Sequence, residues 1–247
     1  YMDAFLLFNI GVDAFAVIVM VILIFTCYMS FDNTQDVRYM RRTFLVLLLV
    51  LLSDLFQWAL DGRLGSSVTT LLYIDNSLYY IFQIAAVVVW NDYVHYRVIR
   101  KVKTRNEMIA TSLVPLAFVL VLMLTNPLTK FIFIIGKGNH YEIGPLSNPL
   151  AFLVMGYLLY TSFWVMYMRR KEKLGSVRRE YLILAGYVLA PFLGAIIQLK
   201  AFGISLIWPL ASIRMLILYI NRSQDEISID ALTGLNNRGS LDKYLVE

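Results

Sequence analysis

The sequence predicts an all-α membrane protein, a bundle of seven transmembrane helices. Three observations carry that prediction. Hydrophobic residues make up 59% of the 247 residues and charged residues only 16%, with a mean hydropathy of +0.66; a soluble domain carries about 25% charged. The apolar residues fall in blocks of roughly 17 to 26, the length that crosses a bilayer core of about 30 Å. The basic residues crowd into alternate loops, as they do when one side of a membrane is cytoplasmic.

The seven blocks are 4–29, 43–61, 69–95, 108–124, 149–168, 181–199 and 204–220. A large soluble helical protein would need a polar face on most helices, and stretches such as 44–52 and 85–90 have none. The first block is too long, and lacks the basic flank, for a cleaved signal peptide. Arg38, Arg41 and Arg42 follow the first block; Arg97, Arg100, Lys101, Lys103 and Arg105 follow the third. Arg169, Arg170, Lys171, Lys173, Arg178 and Arg179 follow the fifth, against Arg63, Lys130, Lys137 and Lys200 in the opposite loops. The amino terminus is therefore expected outside and the tail from Asn221 in the cytoplasm. The net charge of +5 calls for no nucleic-acid partner, because the basic loops would lie against anionic lipid headgroups. A single cysteine, Cys27, excludes an internal disulfide and a cysteine metal cluster; it reads as a small buried apolar residue.

One outer loop is long. Residues 130–135 are apolar and β-branched, 136–139 rich in glycine, and 140–143 form a second short run. That pattern reads as an extracellular β-hairpin within 130–144, lying over the bundle mouth as a lid. The other reading is a loop dipping into the interface on Phe131, Ile132 and Phe133. His140 and Glu142 are two candidate ligands on one strand, too few for a metal site.

Ionisable residues inside a span are costly and usually face the bundle interior. Asp54, Gln57 and Asp61 share a face of the second span. Asp75, Asn76, Tyr79, Tyr80 and Gln83 begin the third, with Trp58 and Trp208 at comparable depth. Together they outline an outward-opening, acidic, aromatic cavity suited to a cationic small molecule. The bland alternative is interfacial aromatic anchors and polar residues joining helices. Deeper in, Arg214 is expected to pair with Asp92 and couple the third span to the last. Asp54 and lipid phosphate are its other candidate partners. His95 reads as interfacial.

The last block leads outward. Ile213, Ile217, Ile220, Gln224 and Ile227 recur at spacings of four and three, a heptad seam that continues into polar sequence and suits a homodimer. Beyond it, Asp230, Leu232, Thr233, Gly234, Leu235, Asn237 and Arg238 form a string that resembles the opening signature of the GGDEF family of diguanylate cyclases. Gly239 stands where a second arginine is common in that family.

The resemblance covers well under a tenth of the chain. It implies a sensor domain over 1–220, a cytoplasmic signalling helix over 221–229 and the start of a GGDEF domain over 230–247. It further implies a bacterial inner-membrane receptor that drives cyclic di-GMP synthesis from two GTP. GTP and Mg would belong to residues past Glu247, so no catalytic residue is expected here, and Asp230 reads as a turn cap. A degenerate, non-catalytic GGDEF-like output is the alternative. A small-molecule transporter, with Pro191 and Pro209 breaking two spans, ranks lower because no inverted halves are visible. An opsin is disfavoured because the last span lacks a lysine, and a histidine kinase should not open its output with this motif.

Overall fold

The computed structural model describes residues 2–29, 34–201 and 203–227, with side chains placed over 4–223 of those ranges. The GGDEF-like string and the rest of 228–247 lie outside the described residues. Among the described residues seven helices run in sequence: α1 (Met2–Met29), α2 (Gln35–Leu60), α3 (Ser66–Ile99), α4 (Arg105–Thr129), α5 (Ser147–Lys171), α6 (Gly175–Lys200) and α7 (Ile207–Ile227). The first six are long and apolar enough to cross a membrane. In α7 the apolar stretch ends at Ile220, and Asn221 and Arg222 follow. The chain is thus a helical bundle with the composition of a multi-pass membrane protein.

The surface supports that class. Phe15, Phe25, Leu124, Phe152, Phe163, Leu189 and Leu199 are all exposed, a load of apolar surface that a water-soluble monomer does not carry. Inside, Met20, Phe44, Leu47, Leu51, Ile84, Trp90 and Met215 are fully buried. Lipid tails are as apolar as leucine, so close packing and interhelical hydrogen bonds must hold such helices together. Gly194 shows the close approach: a Cβ there would sit 2.8 Å from the Ile207 Cα, so α6 packs directly on the start of α7.

Irregular turns release backbone groups that other helices then use. α4 widens to a π-turn over Ile109–Leu113, just before Pro115. Proline has no N–H to return to the Thr111 carbonyl, and the Tyr157 hydroxyl of α5 donates to that oxygen instead. In α6 a 3₁₀ turn over Gly186–Val188 precedes Pro191.

The hairpin forms. β1 (Phe133–Ile135) and β2 (Tyr141–Ile143) pair antiparallel, Phe133 opposite Ile143 and Ile135 opposite Tyr141. The expected alternative, a loop dipping on three apolar residues, is not adopted. Ile132 and Phe133 are wholly buried in the bundle end, while Phe131 is exposed. Phe133 packs on Tyr73 and stacks on Tyr80, at 5.5 and 6.1 Å between ring centres. Asn126 at the end of α4 fastens the first strand: its Nδ2 donates to the Phe133 carbonyl and its Oδ1 accepts from the Ile132 N–H. At the tip, Asn139 takes a left-handed φ of 61° and donates to the Arg63 carbonyl in the α2–α3 loop.

Candidate functional site

Three carboxylates from three helices meet inside the bundle. Asp13 (α1), Asp54 (α2) and Asp75 (α3) lie about 9 to 17 Å in from the hairpin end, counting about 1.5 Å per helical residue. All are buried, Asp13 completely. Asp54 interacts electrostatically with both of the others. Asp54 accepts one hydrogen bond, 2.8 Å, from the Ser205 hydroxyl. Both Asp13 oxygens, one Asp75 oxygen and the Asn76 carbonyl oxygen are buried without a partner. Such groups cost free energy unless something satisfies them. Among the described residues no three histidine, cysteine or acidic side chains stand close enough to share a metal ion. The arrangement gathers buried carboxyl groups with unmet hydrogen-bonding capacity from three helices.

Most of the expected residues are here. Asp54, Asp75, Tyr79 and Gln83 come together, Tyr79 lying near Asp54, Asp13 and Gln83. Trp58 sits beside Asp54 with its indole N–H buried and directed toward that carboxyl group. Trp208 is buried in α7 one turn past Ser205, and Gln57 is half-buried on α2.

Two expected members have structural work elsewhere. The Asp61 carboxylate accepts from the Tyr141 N–H at 2.7 Å and lies 3.1 Å from His140 Nδ1, pinning the hairpin to α2. The Tyr80 hydroxyl lies 2.8 Å from that of Tyr141 and 2.7 Å from that of Ser147. Burial pushes the Tyr141 phenol above its usual pKa, so it stays neutral as a bond donor. The hairpin thus packs on α3 through Tyr73 and Tyr80 and on α2 through Asp61.

Asn9 and Asp13 were missed. Asn9 Nδ2 donates to the Gly203 carbonyl at 2.7 Å, and its Oδ1 accepts from the Ser205 N–H at 3.0 Å. With the Ser205–Asp54 bond, α1 and α2 together hold the short linker that enters α7. The signal was present: Asp13 is an ionisable residue well inside the first apolar block, the feature used to select Asp54.

At the opposite end the expected Arg214–Asp92 pair is not formed. Lys103 reaches Asp92 at 2.7 Å and also bonds Asn91 and Thr111. Arg214 turns toward α6 and donates to the Ile183 carbonyl. Rotation of each helix about its axis decides the partner. A different set of ion pairs joins these helices. Asp36 at the start of α2 accepts from Arg97 of α3 and from Arg222 of α7, each at 2.8 Å. Arg97 also pairs with Glu180 of α6. This ionic layer ties four helices where α7 leaves the bundle.

Compared with known protein families and with curated proteins, the sequence matches none.

Proposed function

We propose that this chain is the sensory part of a bacterial inner-membrane receptor. A cationic small molecule would bind the Asp13–Asp54–Asp75 cluster, and α7 would carry the response to a cytoplasmic diguanylate cyclase. The observation that carries the receptor reading is the cluster itself. Three buried carboxylates lack a compensating cation among the described residues, and the linker into α7 is bonded to one of them. An amine displacing Ser205 from Asp54 would loosen that linker. Moving a two-state equilibrium from 1:99 to 99:1 takes about 5.5 kcal/mol of differential binding.

Orientation follows from charge. Arg38, Arg41, Arg42, Arg97, Arg100, Lys101, Lys103, Arg105 and the cluster at 169–179 lie at the end away from the hairpin. The positive-inside rule makes that end cytoplasmic and the hairpin external, with α7 as a seventh span. Ile213, Ile217 and Ile220 are exposed along α7, a stripe that lipid alone would also explain, so the homodimer reading leans on the seam's continuation to Gln224 and Ile227 in the sequence. The GGDEF-like string at 230–238 supports the cyclase output, in which two facing domains each bring one GTP.

Buried intramembrane acids also suit a cation carrier, so the test has two arms. The complete parent protein should make cyclic di-GMP from GTP and Mg in lipid vesicles, and Asp54→Asn should change that rate severalfold. A parent that makes none under any stimulus rejects the cyclase and leaves the degenerate output. Amine uptake by vesicles holding this chain would instead identify a carrier.

A further inference from the structure

Between α5 and α6, where Phe163, Leu182 and Leu189 are exposed, lies an open groove of about 540 Å³, within the range of small-ligand sites. Leu159, Phe163, Met166, Leu182 and Leu189 line it, and Arg214 of α7 closes its inner wall. The apolar walls are ordinary for a membrane protein. The arginine is not.

Arg214 is separated by seven residues from both Ile207 and Asn221, so it lies about 10 Å from either end of the apolar part of α7. Its Nη2 donates one bond, 3.1 Å, to the Ile183 carbonyl, and its Nε is buried with no partner. No acidic side chain pairs with it among the described residues, since Asp92 is held by Lys103 and Asp54 by Ser205. Gly186 makes room for it: a Cβ there would stand 2.8 Å from Nη2. A guanidinium cannot shed its proton in a protein, so its charge must be met from outside the chain.

We propose that this groove binds a single-chain amphiphilic carboxylate, a fatty-acid-type anion, with its head on Arg214 and its chain along α5 and α6. A carboxylate matches the guanidinium fork through two parallel hydrogen bonds. A carboxylic acid can travel through lipid in its neutral form and ionise against the arginine, because isolated charge in apolar surroundings is removed by neutralisation. A phospholipid would have to drag its phosphate about 10 Å inward from the interface, seven helical residues' worth of depth. The site is separate from the carboxylate cluster, so it stands whether or not that cluster binds amines.

The test uses the whole chain in lipid nanodiscs and a photoactivatable palmitic acid carrying a diazirine in its chain. Its methyl ester and a phosphatidylcholine bearing the same chain serve as controls. The acid should label segments 159–166 and 182–189 about tenfold more than either control, the scale of a lost charge-assisted contact. Arg214→Gln should reduce labelling by the acid to the ester's level. Leu189→Trp, an exposed position on the groove rim, should do the same by filling it, and keeps the test open if the arginine variant fails to fold. Equal labelling by acid and ester overturns the proposal. So does equal labelling by the phospholipid, labelling unchanged in both variants, or cross-links between two copies at this face in place of probe.

Discussion

Asp13→Asn is expected to make the ligand-free protein more stable, by about 1–3 kcal/mol. Most changes at fully buried positions destabilise, so the sign is diagnostic. Asp13 is completely buried with both oxygens unpartnered, and Asp54 stands near enough to repel it. The amide keeps the shape and cannot ionise, so the cost of holding an ionisable carboxyl group in this dry site beside Asp54 is removed. Thermal unfolding of purified protein in lipid nanodiscs measures the effect. A lower midpoint than wild type would mean that Asp13 is satisfied in the native state, and the unneutralised cluster would be wrong. Stability lost to a functional site in this way is a familiar trade-off.

Asp36→Ala is expected to act in the opposite direction and more strongly. Removing one partner of a buried ion pair leaves the other charge uncompensated, which costs about 3–5 kcal/mol. Asp36 stands between Arg97 and Arg222, so its loss brings two guanidinium groups together without their shared carboxylate. The far end of α7 should then detach from α2 while the cluster near the hairpin stays intact. Hydrogen exchange along 217–227 should rise while exchange at 133–143 is unchanged. A double variant, Asp36→Ala with Arg222→Gln, should recover part of the lost stability, since contacting residues do not act additively. Full additivity would contradict the Asp36–Arg222 contact.

Much of the fold could be read from the residues. Block length and loop charge predicted the helices; most run beyond their blocks because ends such as 35–42 and 221–227 are helical yet polar, while α7 begins at Ile207, three residues later than expected. The hairpin was legible from β-branched residues on either side of 136–139. What fastens it was not: Asn126 reads as an ordinary polar residue near a helix end until the strand folds back on it. Half of the site was legible, since Asp54, Asp75 and Tyr79 are polar at matching depths. Asp61 and Tyr80 belong to the same two helices, yet both serve the hairpin. The ionic layer was overlooked because counting basic residues by loop discards Asp36 and Glu180, the acids that organise them. Arg214 turns to the Ile183 carbonyl of α6, and Asp92 pairs with Lys103 instead. Period and depth are written along one chain, whereas facing across a bundle depends on how all the helices pack.

The receptor reading rests on the affinity of the buried carboxylates for organic cations. Thermal unfolding of the chain in nanodiscs, titrated with monoamines and diamines of increasing length, tests it most directly when run beside Asp13→Asn. At least one amine should raise the wild-type midpoint saturably, as ligand linkage requires, and should shift the variant far less. If no amine stabilises the wild type, or if both proteins respond alike, the cluster is not the site of the stimulus.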